Sequence, residues 1–299
     1  MSEYQYYEFQ AIDRPLTARQ MRAIRAVSSR ASITPTRFVN HYEWGDFKGN
    51  PGRWLERYFD AFLYVANWGT RELMLRFPRR LLDLATARRY CYGGTASARA
   101  SGDLVILELR SEDDSGGDFD DGSEWLSSII PVRAEIAAGD YRALYLAWLR
   151  CVQEGELDED DAEPPVPVGL DRLTTPLETL AEFLRLDDAL LVAAVQACPD
   201  EEDGIPPADL KRWIAALPEK EKTSLLTRLV VGEESQLRAE LHLRFRQAHR
   251  GGGARQLRTV GDLLSAAGRL RSSGGSRTRS GRKRGRRKAG PRSRPSSAT

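Results

Sequence analysis

Cysteine, histidine and methionine are scarce in this chain, with three of each among 299 residues. Cys91, Cys151 and Cys198 are far apart and odd in number, which argues against a disulfide framework and for a reduced, cytoplasmic setting. His41, His242 and His249 stand in no HExxH spacing, and no two cysteines form CxxC, so neither a zinc site nor another metal site is expected. No run of 18 apolar residues is present, so no membrane partner is expected. The opening MSEYQYYEFQ lacks a basic stretch followed by an apolar one, so a secretory leader is not expected either.

The signatures of common chemistries are missing as well. There is no GxxxxGK[ST], no GxGxxG after a strand and no GxSxG. No catalytic residue is assigned and no cofactor is expected. An enzyme assembled from scattered groups would have to bring His41, Asp46, Asp60 and Cys91 together in space.

What the chain does have is a marked asymmetry of charge. Its net charge is only +2, yet twelve Lys and Arg and no acid fall between Arg269 and Thr299. The first 268 residues hold 33 basic and 43 acidic residues, a net of −10. An acidic body with a basic end is the pattern of a charged tail. Residues 271–299 are low in complexity and nearly devoid of apolar side chains, so they are expected to be disordered. Within them Arg282, Lys283, Arg284, Arg286, Arg287 and Lys288 form a run that attracts polyanions through phosphate contacts without reading sequence. No aromatic residue accompanies the run for stacking on bases.

Aromatics concentrate at the other end: 17 of the 25 Phe, Trp and Tyr lie between Met1 and Tyr92. Such side chains bring the largest apolar area per residue, which places the main core there. Tyr4–Ile12 reads as a strand, and Thr17 with Gln20 forms a capping box for a helix carrying Met21, Ile24 and Val27. Ser32–Trp44 reads as extended, edged or divided by Pro35. Pro51 opens a helix, and Trp54, Leu55, Tyr58, Phe59, Phe62 and Val65 step by three and four, predicting that it runs to Asn67-Trp-Gly. A strand at Glu72–Phe77, a short helix at Arg79–Tyr90 and a hairpin turning at Ser101–Asp103 complete residues 1–110. The expected class is α+β: a mixed sheet with helices in the order β-α-β-α-β-α-β-β, then an all-helical half.

An acidic loop over 111–124 follows, with seven acids and no base. Residues 125–153 read as a helical hairpin divided at Gly139-Asp140. An acidic, proline-rich linker occupies 154–169, and a helical bundle 170–270. Asp118–Gly122 carries glycine one position early for a calcium-binding loop, so a solvated loop is the reading there.

The stretches SEYQYYEFQAIDRPLT, ITPT and YFDAFLYVANWGTRELMLRFP resemble a group of uncharacterised bacterial proteins. The resemblance covers about the first 110 residues and implies no activity, cofactor or site residue. The function expected from the residues is a non-enzymatic interaction or regulatory protein with a protein partner. Tyr42, Trp44 and Phe47 are the candidate partner-binding aromatics, since Tyr and Trp anchor interfaces well. The alternative is a nucleic-acid-associated protein using the Arg282–Lys288 run for non-specific contact.

Overall fold

A computed structural model describes residues 3–113, 121–198, 207–230 and 258–273, together with isolated positions between 237 and 245. The α+β organisation stands: an N-terminal sheet with helices is followed by helices alone. The sheet has seven strands, all neighbours antiparallel, in the order β2-β3-β1-β4-β5-β7-β6. The strands are β1 (Gln5–Gln10), β2 (Ser32–Ile33), β3 (Arg37–Tyr42), β4 (Ala61–Ala66), β5 (Arg71–Pro78), β6 (Ala96–Ser101) and β7 (Leu104–Ser111).

The local signals act where they stand. Thr17 and Gln20 close a capping box at the start of α1 (Ala18–Val27). Pro35, which lacks a donor for the ladder, divides β2 from β3. Gly102, at φ +57°, turns the β6–β7 hairpin. Asn50 caps α2 (Pro51–Arg57), and Asp83 caps the short α3 (Leu84–Arg88).

The helix that opens at Pro51 departs most from the sequence expectation. The helix beginning at Pro51 stops at Arg57, and Ala61–Ala66 is a strand that turns directly into β5. The apolar steps from Trp54 to Val65 mimic a helix because β4 is covered on both faces. Phe62 points to one core and Leu63 and Val65 to the other, so no polar residue marks alternation. The sheet therefore gains a strand and is antiparallel throughout rather than mixed.

Each face of the sheet has its own core. On one, Phe9, Phe38, Phe62, Met74 and Ile106 meet Ile24 of α1 and Trp54 and Leu55 of α2. On the other, Leu63, Leu73, Leu75, Phe77 and Leu107 join a continuous cluster with the helical half. Those helices are α4 (Trp125–Ile129), α5 (Pro131–Ala137), α6 (Arg142–Gln153), α7 (Thr175–Phe183), α8 (Asp188–Val195), α9 (Pro207–Ala216), α10 (Glu219–Val230) and α11 (Val260–Ser273). Pro131, at a first-turn position, separates α4 from α5 where the sequence reads as one helix. Helix α6 lies at the centre, with every residue from Ala143 to Val152 buried. No described helix is long and apolar enough to cross a membrane.

Candidate functional site

Ionic groups inside a fold mark either tie points or chemistry, and this fold buries two clusters of them. Asp60, fully buried, accepts from the N–H groups of Ile12 and Asp13 at 2.6 and 2.9 Å and pairs with Arg76. Burial by itself raises its pKa, but those N–H groups and the guanidinium hold the carboxyl below its ordinary value. Arg133 donates to the Arg76 carbonyl at 2.9 Å and grips Asp13 through both terminal nitrogens. Every oxygen of Asp60 is engaged, so the cluster ties elements together. A second cluster joins Glu163 to Tyr145 and to Arg258, which donates at 2.6 and 2.5 Å. It pins the segment before α11 to the helical half.

The other three scattered groups do not converge. His41 stacks on Tyr4 with ring centroids 6.2 Å apart, and Asp46 accepts from Gln5 at 3.0 Å. Cys91 is half-buried on the opposite face, where burial pushes its thiol up to about 12, away from a thiolate nucleophile. Among the described residues no cluster of His, Cys, Asp and Glu is arranged to hold a metal ion. His242 and His249 lie outside the described residues, as do Arg282, Lys283, Arg284, Arg286, Arg287 and Lys288.

A different surface brings unusual groups together. Beyond the Phe9 core the same face carries polar side chains, of which Asn40 and Tyr7 are buried and Tyr64, Glu72, Glu108 and Arg110 half-buried. Strand register aligns Asn40, Tyr7, Tyr64, Glu72 and Arg110 in one row across β3, β1, β4, β5 and β7. Antiparallel pairing puts such directly opposed side chains on one face within contact range. The hydroxyls of Tyr7 and Tyr64 both donate to Gln5 Oε1, at 2.8 and 3.1 Å, and their rings lie 4.7 Å apart. Burial pushes the Tyr7 hydroxyl up to about 12 and raises that of Tyr64 as well.

Carboxylates crowd the far side of the row. The Glu72 side chain is 15% exposed, with Glu108 and Glu112 close enough to act on it and Arg110 at 4.0 Å. Burial first, then the repulsion of Glu108, pushes the Glu72 carboxyl up to about 7; Arg110 opposes this but does not overcome it. Arg110 is shared, since it also bonds Glu112 at 3.3 Å. The surface therefore holds more carboxylate than its own cation neutralises.

Exposed indoles stand at the same end of the sheet. Trp44 follows β3 and is 85% exposed; Trp68 lies in the β4–β5 turn and is 45% exposed. The loop carrying Trp44 is fastened to the face through Gln5, which donates to Gly45 O and Asp46 Oδ1 at 3.2 and 3.0 Å. Of the candidate aromatics, Trp44 stands free and Tyr42 is half-buried with its ring edge-on to Tyr7 at 5.6 Å. Phe47 turns inward and packs on Tyr7, Phe9 and Trp54. It holds the loop rather than facing solvent. Tyr64, Glu72 and Glu108 have no site role in the sequence reading, because only strand register aligns them with Tyr7. Trp68 carried a usable signal, an indole in an Asn-Trp-Gly turn.

Comparison with known proteins adds no constraint: no family model matches the chain, and no curated protein or solved structure is significantly similar to it.

Proposed function

We propose that this protein is an interaction module whose Trp44–Tyr64–Glu72 face docks an extended, Arg- or Lys-bearing segment of a protein partner. The observation that carries this is the surplus of carboxylate on a half-buried aromatic sheet face flanked by two exposed indoles. Exposed Trp is costly in water and productive at an interface, where its ring gives large contact area and a cation-binding face. A guanidinium or ammonium group entering beside Glu72 and Glu108 relieves the repulsion on Glu72 and favours its ionised form. Tyr64 supplies a rigid floor backed by the buried Tyr7, since Gln5 fixes both hydroxyls.

The separate tie-point roles of Asp60 and the burial of Cys91 favour this reading over an enzyme built on those groups. A nucleic-acid role for the Arg282–Lys288 run rests on sequence alone.

The test uses the chain ended at Ser273 and a fluorescent deca-arginine peptide as probe. Binding is expected, with Trp44→Ala and Glu108→Gln each weakening it about ten-fold, the scale of one lost anchor at roughly 1.4 kcal/mol. Binding that ignores both substitutions would show that the attraction is diffuse and would remove the face as a docking site.

A further inference from the structure

The geometry points to the chain's own Arg282–Lys288 run as an occupant of this face, bound in the same molecule and competing with the partner. This inference rests on the docking reading above and names a regulator of the same site. Three observations support it.

The first is where the described chain ends. In the last turn of α11, Arg271 reaches Asp187 at 3.2 Å. Two residues earlier, Arg185 donates to the Ser111 hydroxyl at 2.9 Å. Ser111 closes β7 immediately beside Arg110 and Glu112. Short contacts thus run from the end of α11 to the end of β7 that bears Arg110 and Glu112, although the helical half packs on the opposite face of the sheet from Glu72 and Glu108.

The second is reach. Eight residues, 274–281, separate the end of α11 from Arg282. Extended, they span at most about 3.3–3.6 Å each, on the order of 30 Å in all. A body of about 225 residues has a radius of gyration near 17 Å and packed layers lie about 10 Å apart, so that length suffices to pass round the sheet to its other face.

The third is charge. Six of the seven residues 282–288 are cationic, while the first 268 residues carry a net of −10. Tethering raises the effective concentration of the run at the face to about millimolar, enough to occupy a site that binds a free basic peptide only weakly.

The experiment is carbodiimide coupling of the full chain at low protein concentration, followed by peptide mapping. The reagent activates a carboxylate, a lysine amine displaces it, and an amide forms with release of the urea. Links from Lys283 or Lys288 to Glu72, Glu108, Glu112 or Asp46 are expected within monomers, and their loss at 0.5 M salt. Links spread evenly over the other acidic residues would overturn the inference, as would links found only in covalent dimers. A second readout compares deca-arginine affinity for three forms: the full chain, the chain ended at Ser273, and the full chain with all six cations of the run changed to Ser. The latter two are expected to bind at least ten-fold tighter than the first. Equal affinity of all three overturns self-occupancy and leaves the docking face standing. No binding by the chain ended at Ser273 removes the docking face itself.

Discussion

Glu72 shows how much a single side chain on this face depends on its neighbours. Its pKa, raised from 4.5 to about 7 by burial and by Glu108, means that the folded protein holds a proton the unfolded chain releases. Between those two values the native state binds more protons, so the contribution of Glu72 to stability is fully present below about 4.5 and is lost as pH rises through 7. Glu72→Gln keeps the shape and removes the charge. Denaturant titrations at pH 5 and pH 8 are expected to show a smaller stability difference for the variant, with a gain at pH 8 on the order of 1 kcal/mol. A variant that keeps the wild-type pH slope would assign that slope to other groups. Nothing adjacent to Glu72 in the chain foretells this behaviour. Leu73 and Arg71 flank it in sequence, whereas Tyr64 and Arg110 flank it in space.

At the scale of elements, the decisive event is the early end of α2. Tyr58 leaves helical geometry at φ −127°, and Asp60 then takes the N–H groups that follow β1. That frees Ala61–Ala66 to pair with β1 on one side and β5 on the other, making β4 a central strand. Asp60 thereby ties β1, β4 and β5, and α5 is drawn in through Arg133. Asp60→Ala leaves Arg76 buried without its carboxylate, and removal of one partner of a buried pair costs about 3–5 kcal/mol. Urea unfolding is the measurement. A loss below about 1 kcal/mol would mean that water replaces the carboxylate and that the cluster is less closed than its burial implies. The helical reading of residues 58–67 failed here for a physical reason. A strand covered on both faces carries apolar residues at every position, and its spacing then matches a helix as well as a strand.

Over the whole molecule, the helical half and the sheet share one core. Val260, Leu263 and Ala267 of α11 are fully buried and pack along α8. Thr259 bridges to Ala162, and Arg258 closes on the buried Glu163. A chain ended at residue 257 forfeits about 1.5–3 kcal/mol for each large buried side chain and strands Glu163 without its cation. Its thermal midpoint is expected to fall by roughly 10 °C or more, while a chain ended at Ser273 keeps the midpoint of the full protein within about 2 °C. Equal midpoints for both truncations would mean that α11 is peripheral to the shared core.

Local chemistry in the sequence determined a good deal. The capping box at Thr17, the division at Pro35, the hairpin at Gly102 and the helical character of the described elements after residue 124 are each set by contacts within a few residues. So is the separation of an acidic body from a basic end, which is a matter of counting. Only the tertiary structure decided that β4 is a strand, that Phe47 faces inward while Trp44 faces out, and that Tyr7, Tyr64, Glu72 and Arg110 share a row. Those outcomes depend on strand register and on which face a helix covers, and both are fixed by pairings between residues far apart in the chain.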